Sequence, residues 1–167
     1  AGFLQTQAEA TGEESTAQVS DRLQVVSQSG TYNSTIGTDG QIVELDFVLA
    51  QSPGASNVDL SETSVELIGT DGQETFTLSE TAGDGTVIDM FKGDNNVVFT
   101  DTSDRAQVTV TLDDSASETT GGGNAGDGPY ALEEGDSLTV TFTTPSGATT
   151  TTEIRVPSTV VNDSVRL

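Results

Sequence analysis

The side chains that most often carry nucleophilic and acid–base chemistry are missing from this chain, which has no histidine and no cysteine. Ser-His-Asp and Cys-His arrangements are excluded with them, as are disulfides and thiolate metal sites. A Ser-Lys pair could use only Lys92, the single lysine, which lies in Phe91-Lys92-Gly93-Asp94 and reads as a solvated turn. A sharper alternative there, an intramolecular Lys-Asn crosslink, would need that lysine to be buried. Carboxylates are paired at Asp113-Asp114 and Glu133-Glu134, and glycoside hydrolysis needs two carboxyls about 5 to 10 Å apart. With 27 acidic residues in the chain, such pairs arise by composition, and solvated surface is the plainer reading. Gly121-Gly122-Gly123-Asn124-Ala125-Gly126 fits the dinucleotide fingerprint in letters only, because no helix pattern follows to face a pyrophosphate. No catalytic residue and no organic cofactor are assigned.

Two other kinds of site are open. Asp84, Asp89, Asp94, Asp101 and Asp104 crowd the strand-turn boundaries, and clustered oxygens of this kind suit calcium or magnesium. No stretch has the EF-hand spacing, so plain solvated acid stands beside that reading. Asn33-Ser34-Thr35 and Asn162-Asp163-Ser164 satisfy the N-glycosylation pattern and become acceptor sites if the chain is extracellular.

The elements that must position these residues are mostly strands. Val43, Leu45, Phe47 and Leu49 face one way while Glu44 and Asp46 face the other, the period of a half-buried strand. The alternation returns at Val65 and Leu67, Phe76 and Leu78, Val97 and Phe99, Val108 to Leu112, Leu138 to Phe142, and Ile154 and Val156. Threonine fills many intervening positions, as its branched carbon favours. Turn signals separate the runs at Ser52-Pro53-Gly54, Asp71-Gly72, Gly83-Asp84-Gly85 and Pro145-Ser146-Gly147, with Asp71-Gly72 the best hairpin candidate. Seven or eight short strands predict an antiparallel, immunoglobulin-like β-sandwich over residues 29–167. Residues 115–129, Gly-rich and acidic, read as an exposed loop at one pole.

The first 28 residues read differently. Leu4, Ala8, Thr11, Ser15, Val19, Leu23 and Val26 recur at spacings of three and four, which predicts an amphipathic helix with a narrow apolar seam. Ser29-Gly30 and Tyr32-Asn33-Ser34 then read as a linker. With Phe3, the seam residues form a candidate self-assembly interface, since small residues allow close helix approach and Gly12 leaves the helix marginal without neighbours.

Charge narrows the partners. The 167-residue chain has a net charge of −22 and only five basic residues, so nucleic acid, which needs clustered Lys and Arg, is excluded. Such self-repulsion is tolerable when molar salt shortens the Debye length to about 3 Å, which points to life in concentrated salt. No apolar run is long enough to span a membrane.

The opening Ala1-Gly2-Phe3-Leu4-Gln5-Thr6-Gln7-Ala8-Glu9-Ala10-Thr11-Gly12-Glu13-Glu14-Ser15-Thr16, followed by Val19-Ser20-Asp21-Arg22-Leu23-Gln24-Val25-Val26, resembles the archaellins, or archaeal flagellins, of halophilic archaea. The strand beginning Ile42-Val43 and the segment Asn57-Val58-Asp59-Leu60-Ser61 resemble them more loosely. The resemblance implies an extracellular subunit of the archaellum, the rotating swimming filament. Its partners would be identical or paralogous subunits, in a helical homo-oligomer built on N-terminal helices. It also implies an outer immunoglobulin-like domain, often N-glycosylated, and an apolar segment ahead of Ala1. The alternative from another class is an extracellular surface-layer or adhesin-type binding domain.

Overall fold

The structure is a computed structural model that describes residues 22–35, 39–69, 72–81, 85–92, 96–112 and 131–167. Its strands are β1 (Leu23–Asn33), β2 (Gln41–Gln51), β3 (Val58–Asp59), β4 (Ser64–Gly69), β5 (Gly72–Thr77), β6 (Thr86–Lys92), β7 (Val98–Phe99), β8 (Arg105–Thr111), β9 (Ser137–Thr143), β10 (Thr149–Arg155) and β11 (Ser164–Arg166). Every named pairing is antiparallel. One sheet runs β11-β1-β2-β8-β6, a second runs β10-β9-β4-β5, and β3 pairs with β7.

The two large sheets meet through the apolar phase of their alternation. Leu45, Phe47 and Leu49 of β2, Val108 and Val110 of β8, Val65 and Leu67 of β4, and Val140 and Phe142 of β9 belong to one buried cluster. Phe47 and Phe142 bridge the sheets edge to face, with ring centroids 5.3 Å apart, an arrangement aromatic quadrupoles favour. The expected hairpin is β4–β5, whose last described pair is Gly69 with Gly72. No buried side-chain nitrogen or oxygen among the described residues lacks a hydrogen-bond partner.

Outward positions of the four-stranded sheet are a grid of hydroxyls. Thr149, Thr143, Ser64 and Thr77 form one row across it, and Thr151, Thr141, Glu66 and Thr75 form the next. Thr141 and Thr151 share a cross-strand hydrogen bond of 3.1 Å. The β-branch supports the extended backbone while the hydroxyl meets water, which explains a solvent face built with so little charge.

The structure corrects the sequence reading at residues 23–33. Leu23 to Gln28 are strand, not helix, and the expected linker at Ser29-Gly30 and Tyr32-Asn33 continues the same strand. Leu23 pairs with Gln51 and Val25 with Leu49, but Ser27 pairs with Val48, so Val26 is an extra residue in a bulge. A bulge changes which side chains share a face, and here it counterfeits a helical spacing between Leu23 and Val26. Gly30 is there because the interior is full: a Cβ at that point would stand 2.7 Å from Leu167 and 2.8 Å from Ile42. The part of the helix reading that covers residues 1–21 lies outside the described residues, as does the expected loop over residues 115–129.

Candidate functional site: the first strand and its poles

β1 is where the amino-terminal segment enters the fold, and it is held on three sides. On one flank it runs along β2 from Leu23 to Asn33, and on the other it pairs with β11 through Ser29, Gly30 and Thr31. Ser52 N–H extends the grip by one residue, donating to the Arg22 carbonyl at 3.0 Å. The third contact reaches the opposite sheet. Thr150 Oγ1 donates to the Leu23 carbonyl and Thr152 Oγ1 to Gln28 Oε1, both at 2.7 Å, while Gln28 Nε2 donates to the Glu153 carbonyl at 3.2 Å. Each such bond is worth about 1 kcal/mol net. Together they tie the edge strand β10 to β1 and close that side of the molecule. Beside them lies an open groove of ≈ 510 Å³, lined by Arg22 to Val25, Ser52 and Thr149 to Thr152.

Of the expected assembly residues, Leu23 is buried in the core, only 3% exposed, and Val26 projects from the bulge, 51% exposed. They do not share a seam. Phe3, Leu4, Ala8, Thr11, Ser15 and Val19 lie outside the described residues.

The two candidate acceptor asparagines converge. Asn33 ends β1, and Asn162 stands just ahead of β11. Thr31 pairs with Ser164, and Tyr32 N–H donates to the Asp163 carbonyl at 2.7 Å, so Asn33 and Asn162 each stand one residue past that bond, at the same edge of the sheet. Thr35 donates to Asn33 Oδ1 from both its N–H, at 2.9 Å, and its hydroxyl, at 2.6 Å. Nothing in the spacing of 129 residues between them signals this, because the pairing of β1 with the last strand is a tertiary choice.

Of the aspartates proposed for a cation, Asp89, Asp101 and Asp104 are described, and they do not gather. Asp104 is buried, and its Oδ2 accepts from the N–H groups of Thr100 and Asp101 at 2.8 and 3.0 Å, capping its own turn. Asp101 Oδ1 accepts from Ser103 N–H at 2.7 Å, and the Ser103 amide, helped by its side chain and more weakly by Lys92, holds the Asp101 carboxyl below the usual range. Asp89 stands on β6, and Asp84 and Asp94 lie outside the described residues. Among the described residues no three acidic side chains come together as a metal-holding group.

Of the carboxylate pairs, Glu133 and Glu134 are occupied by structural bonds. Gln41 Nε2 donates to Glu133 at 3.3 Å and Val160 N–H to Glu134 at 2.8 Å. Lys92 is exposed at the end of β6, which removes the crosslink reading, since that chemistry needs a buried amine.

The sequence model of the family described as Archaeal-type flagellin matches residues 1–156 of the chain. The chain belongs to the archaeal-type flagellin family. Relatives agree along its length. It is 47% identical to Flagellin B1 of Natrialba magadii, covering 100% of this chain and 81% of that one. It is 35% identical to Flagellin B2 of Halobacterium salinarum, covering 94% and 74%. In fold it is similar to the crystal structure of the archaeal flagellin FlaB1 from Methanocaldococcus jannaschii, with a TM-score of 0.66 at 16% identity over 86% of this chain and 94% of that one. It is also similar to the subunit in the archaeal flagellum of Methanospirillum hungatei, with a TM-score of 0.65 at 18% identity over 99% and 84%. For a family member, the hold on β1 is the join between the segment that precedes Arg22 and everything that follows it.

Proposed function

We propose that the chain is a non-enzymatic structural subunit of the archaellum, outside the cell, assembled with identical or paralogous copies into a helical filament. The observation that carries this reading is the family match over residues 1–156. The described β region then serves as an immunoglobulin-like outer domain, and the segment holding Phe3, Leu4, Ala8, Thr11, Ser15 and Val19 serves as the contact between copies. Identical subunits joined through two different patches whose rotation does not close give an open helical array. A body held by three contacts along β1 would pass torque from that segment to the outer surface without peeling its first strand. Asn33 and Asn162 are the proposed glycan acceptors, both at the same edge. The adhesin-type alternative is not favoured by the relatives found.

The test uses filaments sheared from cells and purified. Electron microscopy should show helical fibres, and digestion followed by mass spectrometry should recover peptides of this chain from them, with a mass increment on the peptides carrying Asn33 or Asn162. Recovery of the chain only from cell-bound or particulate material, never from fibres, would overturn the reading.

A further inference from the structure

Five basic residues among 27 acidic ones make the position of each cation informative. Three of them fall at the same end of the five-stranded sheet. Arg22 immediately precedes β1, its carbonyl bonded to Ser52 just past the end of β2. Arg105 opens β8 opposite Ala50, and Lys92 closes β6 opposite Arg105. Lys92 and Arg105 are thus cross-strand neighbours of like charge, an arrangement that costs stability unless something answers it.

Among the described residues the answer is partial: Asp101 is within electrostatic reach of Lys92 but forms no ion pair with it. The only ion pair among the described residues is Arg155 with Glu153 at 2.9 Å. Asp101 and Asp104 lie beside Arg105 and keep their charge while accepting from backbone amides of their own turn, yet neither forms an ion pair with it. Arg105 Nη1 donates to the carbonyls of Thr102 and Asp104, at 2.8 and 2.7 Å, and to no carboxylate among the described residues.

The opposite end of the same sheet is acidic. Tyr32 and Gln41, where β1 ends and β2 begins, are bonded to Asp163 and Glu133 respectively. Glu134 and Asp136 belong to the same connection, which pairs with Ile42 through Leu132. Glu133, Glu134 and Asp163 are exposed. β2, with 11 residues, separates the two ends, and at about 3.3 Å per residue that distance is roughly 33 Å. The two ends of one molecule cannot meet.

We infer that the basic end of this sheet, Arg22, Lys92 and Arg105, docks on the acidic end, Glu133, Glu134 and Asp163, of a second copy of the chain. The contact joins unlike patches head to tail, so it propagates rather than closing into a dimer. It rests on the filament reading and adds to it a second surface, distinct from the amino-terminal segment. Molar salt does not abolish it. With a Debye length of about 3 Å, long-range attraction disappears while groups in direct contact still interact, so the pairing sets register rather than the rate of encounter.

A single lysine makes the test specific. A zero-length carbodiimide reagent joins an amine to a carboxylate in contact with it. Applied to intact purified filaments, it should give a product of twice the subunit mass on a denaturing gel, whose linked peptides join Lys92 to Glu133, Glu134 or Asp163. Intact fibres in which Lys92 links only within its own chain, or to carboxylates elsewhere, would overturn the inference while leaving the filament reading in place. Charge reversal gives an independent reading. Lys92→Glu with Arg105→Glu should cut filament yield about tenfold without changing the melting temperature of the subunit by more than a few degrees. Adding Glu133→Lys and Glu134→Lys to that chain should restore the yield. Unchanged yield in the first variant, or no recovery in the second, would count against the docking.

Discussion

The strands carry Glu44, Asp46, Asp59, Glu66, Glu74, Asp89 and Glu153 against Lys92, Arg105, Arg155 and Arg166, seven acids and four bases that leave a net of only −3. Almost all of the net −22 therefore sits in the connections and the ends of the chain. The strands show water a face of threonine hydroxyls on one sheet; the connections show it carboxylates. Two different demands explain the division. Side chains on a sheet stand about 5 Å from their cross-strand neighbours, where like charges repel strongly, whereas loop carboxylates can turn away from one another into solvent. Stability should then reside in the strands and be indifferent to salt, while salt sensitivity should reside in the connections.

The largest test of that division is in the core. Phe47→Ala removes one half of the ring pair that joins the sheets, at a residue with no solvent exposure. The cost expected for such a truncation is about 3 to 5 kcal/mol. Denaturant melts at about 0.5 M and about 3 M salt should give the same loss. A loss that shrinks markedly at high salt would mean that charge repulsion is distributed through the strands as well.

The reverse experiment changes only connections. Glu133→Gln, Glu134→Gln and Asp163→Asn together keep the oxygen that accepts from Gln41 or Val160 and remove three charges from one pole. Exposed charges are individually worth a few tenths of a kcal/mol, so the triple variant should gain about 1 kcal/mol at 0.1 M salt and almost nothing at molar salt, where screening is nearly complete. Thermal melting across a salt series reads the difference. Equal gains at both ends of the series would show that these residues act by something other than charge.

How much of this was legible beforehand follows the same line. Period-two alternation announced β2, β4, β8 and β9, because one face of each is buried and the other is not. Asp71-Gly72 announced a hairpin, because turn chemistry is local. The strand at Leu23 to Gln28 was hidden by one residue: the bulge at Val26 breaks the alternation and substitutes a spacing of three. Asn33 and Asn162 were each legible as a tripeptide, but their adjacency was not, and neither were the threonine bonds from β10 to β1, which join residues more than 120 positions apart. Contacts between sheets depend on which edges meet, and no local pattern encodes that. The absence of histidine and cysteine is legible in full, and it excludes Ser-His-Asp and Cys-His arrangements without any structure.

The smallest test concerns two carboxylates crowded on one strand. Glu44 and Asp46 stand two residues apart on β2, facing the same way. Asp46 Oδ1 is fixed by Gln107 Nε2 at 2.8 Å and Thr109 Oγ1 at 2.7 Å, so it cannot swing clear. Burial, and then the charge of Asp46, push the Glu44 carboxyl above its ordinary 4.5. A carboxyl whose folded pKa is raised favours the folded state only while protonated. That contribution is complete below pH 4.5 and is lost as pH rises through the folded value, so at neutral pH ionised Glu44 is a net burden. Glu44→Gln should therefore raise the melting temperature at pH 7 by roughly 1 °C, equivalent to a few tenths of a kcal/mol for a half-buried group. The gain should vanish when the comparison is repeated near pH 4. If it persists in acid, the benefit comes from packing or hydrogen bonding of the amide, and the strands carry no electrostatic strain even where their carboxylates stand closest.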